Sequence, residues 1–384
     1  MGDKMEELEF EAVPSAEIND TTWLESEGQD SEADWIYRVV STTLHAFIFV
    51  MGLVGNIVLI FVVYKSRNLH TPTYTYLTSL AMADLLLIVT AVPESIAFQN
   101  FGHQWLLGET GCALFIFLNF FGINAGSLSL TAFTVERYLV VCWPLLAQKI
   151  CNLHRTRRII VLCWIFTLIY SSPWLGLTTV RRSEPHPDLD QCELRLSKEL
   201  YLAIFSSDLI LFYLLPLLVA VIGCYKIARV LRKNAQDFNF DMGLRRPPHS
   251  RLSPRISTQS FPPYEQVPEY GMLTRNHRQT QRHDSVQTSK TQGLRMLVVT
   301  IVLFAVAWLP FRGLLIYNMT ASEQWLDLWF LLFARTMIYL SAAMNPFLYN
   351  AINTRFRQTV KSVLFGATTS GRPSARSTHS VSYV

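Results

Sequence analysis

Glu136-Arg137-Tyr138 sets an acid and a guanidinium side by side at the end of a run, 108–142, that is otherwise largely apolar. Asp84 stands alone inside a second such run, and Asn345-Pro346-Phe347-Leu348-Tyr349 puts a carboxamide, a proline and a phenol inside a third. Arg312 and Arg335 complete the set, each within an apolar stretch. An adjacent acid and guanidinium form a breakable charge-assisted lock, and a carboxylate facing a carboxamide forms a small polar core. Isolated guanidinium groups grip carbonyl or carboxylate oxygens. This is the chemistry of switching and recognition. No phosphate-binding glycine loop, nucleophile elbow or clustered His/Cys metal set accompanies it, and the nine His are scattered, so the chain does not read as an enzyme.

The elements that must position these residues are hydrophobic helices. Half of the 384 residues are hydrophobic and only 16% are charged, a balance that fits a polytopic membrane protein. A spanning helix needs roughly 20 mostly apolar residues. Seven stretches qualify, at about 36–64, 72–98, 108–142, 157–180, 199–231, 292–321 and 326–350. The expected fold is an all-α seven-transmembrane bundle. Lys65 and Arg67, then Lys149, Arg155, Arg157 and Arg158, then Arg229, Arg232 and Lys233, and finally Arg355, Arg357 and Lys361 follow alternate spans. Loops near 99–107 and 321–326 have no Lys or Arg, while 181–198 departs from the pattern with Arg181, Arg182, Arg195 and Lys198 offset by acids. The positive-inside rule therefore puts the N-terminus outside the plasma membrane and the C-terminus inside.

The formal net charge of +4 hides an asymmetry, because residues 1–34 hold twelve acids and one Lys. We divide the chain into an acidic outer tail (1–35), a seven-span core (36–350) and an inner helix with a cytoplasmic tail (351–384). No cleaved signal peptide is expected. Within the core, 234–290 is rich in Pro, Arg, Ser and Gln and is expected to be a disordered inner loop, with Ser253-Pro254 and Arg282-His283-Asp284-Ser285 as kinase targets. Phe356, Val360, Val363 and Leu364 fall at i, i+4, i+7 and i+8 beside basic residues, predicting a helix along the inner lipid surface before Gly366. Asn19-Asp20-Thr21 is an expected glycosylation sequon, and Asn318-Met319-Thr320 a second match at a helix end. The terminal Ser382-Tyr383-Val384 fits a PDZ ligand ending at Val384. Cys142, Cys163 and Cys224 lie inside apolar segments and read as buried thiols. Nothing in the charge pattern points to nucleic acid.

Prolines interrupt the spans at Pro93, Pro173, Pro216, Pro310 and Pro346, and each frees a backbone carbonyl that water or a side chain must satisfy. Asn56, Asp84, Asn119, Asn124 and Asn345 supply polar atoms at depth. Packing polarity explains any one of them alone; the ordered set calls for function.

That ordered set resembles the rhodopsin-like (class A) G-protein-coupled receptors over about residues 36–365. The carriers are Gly55-Asn56, Leu80-Ala81-Met82-Ala83-Asp84, Cys112, Glu136-Arg137-Tyr138, Trp164, Pro216, Phe304 with Trp308-Leu309-Pro310, and Asn345-Pro346-Phe347-Leu348-Tyr349. The resemblance implies that Glu136 pairs with Arg137 and holds the inner face closed until a heterotrimeric G protein displaces the pairing, with Tyr138 beside them. It implies a switch of Trp308 with Phe304 above the Pro310 kink, and an inward swing of Tyr349. Asp84 and Asn345 resemble a core where a sodium ion binds in relatives, although Gly126 stands where many of them carry a serine ligand. No other cofactor or metal is expected. The usual partner of Tyr349 is a Tyr at the position held here by Cys224, with Tyr225 one step later. Cys112, at the outer end of the third span, and Cys192, in the following outer loop, suit a disulfide in an oxidising compartment and match the family's pairing. Receptor kinases and arrestin acting on Ser and Thr of 368–382 are further implied partners, along with membrane lipids.

The ligand is read by exclusion first. Amine receptors of the family carry an Asp where this chain has Asn119, and light receptors a Lys where it has Tyr339. Arg312 is equally a ligand contact or the partner of Asp208, whereas Arg335 has no acid within a turn of it in sequence and reads as a ligand contact. Gly122-Ile123-Asn124-Ala125, Thr131 to Tyr138, Trp329 to Phe333, Arg335 and Ile338-Tyr339-Leu340 are similar to the thyrotropin-releasing hormone receptors. That resemblance implies a short amidated peptide, its amide end engaged by Arg335 and a lactam held near Asn124. Phe120 and Phe311 stand where that family has tyrosines, removing two hydroxyls. The expected function is a neuropeptide receptor coupled to a G protein of the Gq type, raising calcium through phospholipase C. The alternatives are a different amidated peptide with another coupling or, more remotely, a transporter, for which repeated broken-helix halves are missing.

Overall fold

The structure is a computed structural model that describes residues 32–101, 105, 107–182, 190–244, 269–321, 325 and 327–366. Ten α-helices and one two-stranded sheet are formed by these residues. They are α1 (Glu32–Lys65), α2 (Pro72–Phe101), α3 (Gly108–Cys142), α4 (Pro144–Ile150), α5 (Leu153–Ser171), β1 (Thr178–Arg182), β2 (Asp190–Leu194), α6 (Lys198–Leu209), α7 (Leu215–Leu244), α8 (Glu269–Thr320), α9 (Leu328–Ile352) and α10 (Thr354–Phe365). A π-turn, Ile210–Leu214, joins α6 to α7 as one continuous span.

Seven helices are long and apolar enough to cross a membrane: Asp34–Lys65, Pro72–Asn100, Gly108–Cys142, Leu153–Leu175, Glu199–Asn234, Thr291–Thr320 and Leu328–Ile352. Their amphipathicity is the reverse of a soluble protein's. On α1, Phe47, Val50, Val54, Ile57 and Phe61 recur at three- and four-residue intervals and face outward, while Ser41, His45 and Asn56 are buried. Lipid is as good a solvent for Phe as another helix is, so the polar atoms are what the bundle must enclose.

Two expectations are corrected. The fourth span was expected to run over 157–180, but its α-helix spans Leu153–Ser171 and passes through a 3-10 turn at Ser172–Leu175. Asn152 starts it early by accepting from the Arg155 N–H at 2.9 Å. Pro173 ends the α-helical hydrogen bonding, and residues 178–180 become part of β1. The inner loop is also less unstructured than its composition suggests. Residues 234–244 continue α7 and 269–290 begin α8, because extending an existing helix adds one hydrogen bond per residue without a new nucleus. Ser253-Pro254 lies outside the described residues.

Proline-freed carbonyls are satisfied from neighbouring spans. Pro216 cannot donate to the Phe212 carbonyl four residues earlier, and the Ser127 hydroxyl donates to it instead at 2.5 Å. Pro346 leaves the Ala342 carbonyl free, and Asn56 donates to it at 3.2 Å. Asn353 caps α10 by accepting from the Phe356 N–H at 3.2 Å, Phe356 is buried against the bundle, and Gly366 ends the helix in the left-handed conformation at φ 60°.

Candidate functional site

The inner level is built around Glu136. Arg137 donates to its Oε1 at 3.1 Å, and the Thr156 hydroxyl of α5 donates to its Oε2 at 3.4 Å. Glu136 is buried, so the guanidinium compensates a desolvated charge, and Arg137 also lies 5.7 Å over the Phe133 ring. Tyr138 accepts from the Trp143 indole at 3.2 Å, with Lys226 5.6 Å over its ring. Tyr349 is buried in the core that includes Leu130, Phe133 and Ile301. Tyr225 is largely exposed and Cys224 packs against that same core, so the phenol one step along the chain does not stand in for the absent partner.

The middle level holds Asp84, whose Oδ2 accepts from the Asn345 amide at 2.8 Å. The two line a cavity of about 40 Å³ with Gly126, Ser127, Thr300, Ser341, Phe304 and Trp308. That is room for a small number of waters. A hard cation takes oxygen ligands, and Asp84, Ser341 and the buried, unpartnered Oδ1 of Asn345 offer them. A Cβ at Gly126 would meet only Ala83 at 3.5 Å and Leu80 at 3.7 Å, so that wall has space but supplies no oxygen. Asp84, Asn345 and Ser341 are thus the residues that would hold such an ion, with water completing its shell. Above the cavity Phe304 lies between Tyr213, at 5.7 Å, and Trp308, at 6.2 Å. Pro310 stays within α8.

At the outer level, two contacts fix the register of α3 and the fifth span, which run in the same direction. Phe120 meets Phe205 with ring centroids 6.1 Å apart, and Ser127 bonds the Phe212 carbonyl. Asn124 therefore lies level with Asp208. Asp208 is ion-paired with Arg312, both buried, and the Arg312 guanidinium lies 5.5 Å over Trp308. The two readings of Arg312 are thereby narrowed: it has an acid partner. Even so, Asp208 Oδ1 and Arg312 Nε make no hydrogen bond in the structure, nor do either amide atom of Asn124 or the Asn119 Oδ1. Phe120 stacks flat on Trp174 at 4.2 Å, and Phe311 packs against the cluster containing Trp308 and Tyr339.

Arg335 faces α2. It donates to the Ser95 hydroxyl at 3.5 Å and lies 5.3 Å over the Phe98 ring. Tyr339, one turn inward, donates to the Ala91 carbonyl at 3.2 Å. Behind this pair sits a network the sequence reading did not single out. Gln99 donates to His45 Nδ1 at 3.1 Å and to Ser95 at 3.3 Å, which assigns the His45 proton to Nε2, 3.1 Å from Thr336 Oγ1. Each residue is visible in the sequence as a lone polar group in a span, a signal too common to select it.

Over the outer ends, Cys112 and Cys192 form the expected disulfide, Cα–Cα 5.7 Å, tying β2 to α3. Asn318, the second sequon, is buried, and its amide bonds both the carbonyl and the N–H of Trp325, at 3.1 and 3.0 Å. Asn19 lies outside the described residues, as do residues 368–382 and Val384. Cys142, Cys151, Cys163 and Cys224 are free and half-buried, and burial pushes the Cys151 thiol above its ordinary value.

Seven spans enclose an inner acid–arginine pair, a polar middle and an outer level of buried polar atoms, the arrangement of a multi-pass membrane protein. The family described as "7 transmembrane receptor (rhodopsin family)" matches residues 55–349, and the chain belongs to it: it is a G-protein-coupled receptor of the plasma membrane, not an enzyme. It is 34% identical to the thyrotropin-releasing hormone receptor of Homo sapiens over 84% of this chain and 77% of that one. It is 33% identical to that of Gallus gallus over the same shares. The pyrokinin-1 receptor of Drosophila melanogaster is 29% identical over 85% of this chain and 79% of its own.

Proposed function

We propose that this receptor is switched on by a short peptide with an amidated C-terminus and passes the signal to a heterotrimeric G protein of the Gq type, raising calcium through phospholipase C. The likeness to thyrotropin-releasing hormone and pyrokinin receptors supports a peptide ligand. The observation that carries the reading is the group of buried, unbonded polar atoms on Asn119, Asn124, Asp208 and Arg312. A buried polar atom left unbonded costs about 1–3 kcal/mol, and a peptide's amides offer both donors and acceptors to recover it. Arg335, held by a neutral hydroxyl and an aromatic face, keeps its charge for the ligand's terminal carbonyl.

In this mechanism a peptide seated against Asn124, Phe120, Phe311 and Arg335 presses on the Arg312–Trp308 stack, and Trp308 moves Phe304 against Tyr213. The shift passes to Asp84 and Asn345, then to Tyr349, and loosens Glu136 from Arg137 so that a G protein engages the inner face. Receptor kinases and arrestin acting on Ser and Thr of 368–382, a PDZ protein at Val384 and a glycan on Asn19 belong to the same reading. A calcium assay in transfected cells, against a library of short peptides each made as amide and free acid, tests it. Response to amides supports it; response confined to non-peptide ligands or to uptake of a substrate overturns it.

A further inference from the structure

One stripe of α2 receives the ligand-facing residues of α9. Ala91, Ser95 and Phe98, at i, i+4 and i+7, meet Tyr339, Arg335 and Arg335 again. Pairing 91 with 339 and 95 with 335 fixes an antiparallel register. Glu94 lies in this register, next to Ser95 and three residues after Ala91, and it is within electrostatic range of both Arg335 and Tyr339. Asp84, Glu136 and Asp208 are each buried and hydrogen-bonded or ion-paired. Glu94 differs: it is half-buried, and among the described residues its carboxylate has no hydrogen bond or ion pair. A half-buried acid and a buried guanidinium in range of each other make a two-sided reader.

We infer that Glu94 and Arg335 together recognise a primary carboxamide at the peptide's C-terminus, and that Glu94 is the residue that turns away a free carboxylate. This rests on the amidated-peptide reading above and names the residue behind its selectivity. A carboxamide has one acceptor and two donor hydrogens. Its carbonyl takes a hydrogen bond from Arg335, and its NH₂ gives one to Glu94. A carboxylate has the same shape and no donor. It gains attraction to Arg335, but it sets a like charge against Glu94 and leaves that acid without a donor, in a half-buried site where screening is weak. Selectivity then comes from repulsion of the wrong terminus as well as attraction of the right one.

The test uses the full-length receptor in cells and the library of short amidated peptides of the calcium assay, each paired with its free acid. Calcium potency is measured for the wild type, Glu94→Gln and Arg335→Ala. Glu94→Gln is expected to narrow the amide-to-acid potency ratio on the order of tenfold, chiefly by raising the potency of the acids. A gain for the acids cannot come from poor folding. Arg335→Ala is expected to weaken both forms. Active amides with an unchanged ratio in Glu94→Gln overturn the assignment of Glu94 and leave the amidated-peptide reading standing. No response to any amide overturns that reading itself, and with it this one.

Discussion

Asp208 of the fifth span and Arg312 of the sixth form an ion pair at the level of Asn124, both side chains buried. A buried pair adds little net stability, but removing one partner leaves an uncompensated charge at a cost of about 3–5 kcal/mol. Asp208→Ala and Arg312→Ala are each expected to lower cell-surface expression and the melting temperature of the solubilised receptor. Asp208→Leu with Arg312→Met is expected to recover most of the loss. Melting temperatures read by a thiol-reactive dye report this, and single variants as stable as the wild type would show that the pair is not held at depth.

Arg335 sits on Ser95 and Phe98 without an acid in direct contact. A charge-assisted hydrogen bond to a ligand carbonyl contributes about 1.5–3 kcal/mol, so Arg335→Ala is expected to reduce agonist potency roughly 10- to 100-fold while surface expression persists. Antibody labelling alongside calcium dose–response curves separates the two effects. Unchanged potency would remove Arg335 from the ligand site.

The spans were legible in the sequence because lipid demands long apolar runs, and the inner charged pair because charge at depth is rare. Glu136 beside Arg137 and Asp84 facing Asn345 are found where the residue types placed them. What sequence could not decide is pairing across helices. Asp208 and Arg312 are 104 residues apart, and a sequence pattern leaves them equally a pair or two ligand contacts. The stripe from Ala91 to Phe98 depends on the register of α2 against α9, which single helices do not encode. The helical ends at 234–244 and 269–290 were hidden by a polar composition that resembles disorder.

Phe120 lies flat on Trp174, and Phe311 packs beside Trp308 and Tyr339. A para hydroxyl on each adds a donor at the outer level with little change in ring volume. Phe120→Tyr with Phe311→Tyr is expected to raise the potency of pyroglutamyl-histidyl-prolinamide by an order of magnitude or more, at about 1–3 kcal/mol per hydrogen bond gained. Calcium dose–response curves for the double variant decide it; no gain would mean that the two rings do not set the ligand preference.

Asn318 bonds both polar groups of the Trp325 backbone and is buried. Its sequon therefore presents no free amide to a glycosyltransferase. Asn318→Gln is expected to leave the electrophoretic mass unchanged, and Asn19→Gln to remove the shift caused by a glycosidase. A mass change in Asn318→Gln alone would contradict the buried placement.

Glu136 accepts from Arg137 within its own helix and from Thr156 of α5, and the Tyr76 side chain of α2 is a further hydrogen-bond partner. The first contact joins two opposite charges and the second a charge and an uncharged hydroxyl, so the first carries the larger Coulombic attraction. Freeing Arg137 is the step the lock resists, so Glu136→Gln is expected to raise ligand-independent inositol phosphate accumulation severalfold. Thr156→Ala removes only the tether to α5 and is expected to raise it by a smaller factor, with Thr156→Ser restoring wild-type behaviour because it keeps the hydroxyl. The ordering is the informative part. Equal effects of Glu136→Gln and Thr156→Ala would mean that the position of α5, rather than the charge on Glu136, sets basal activity, and no rise in either would mean that this contact does not hold the inner face closed.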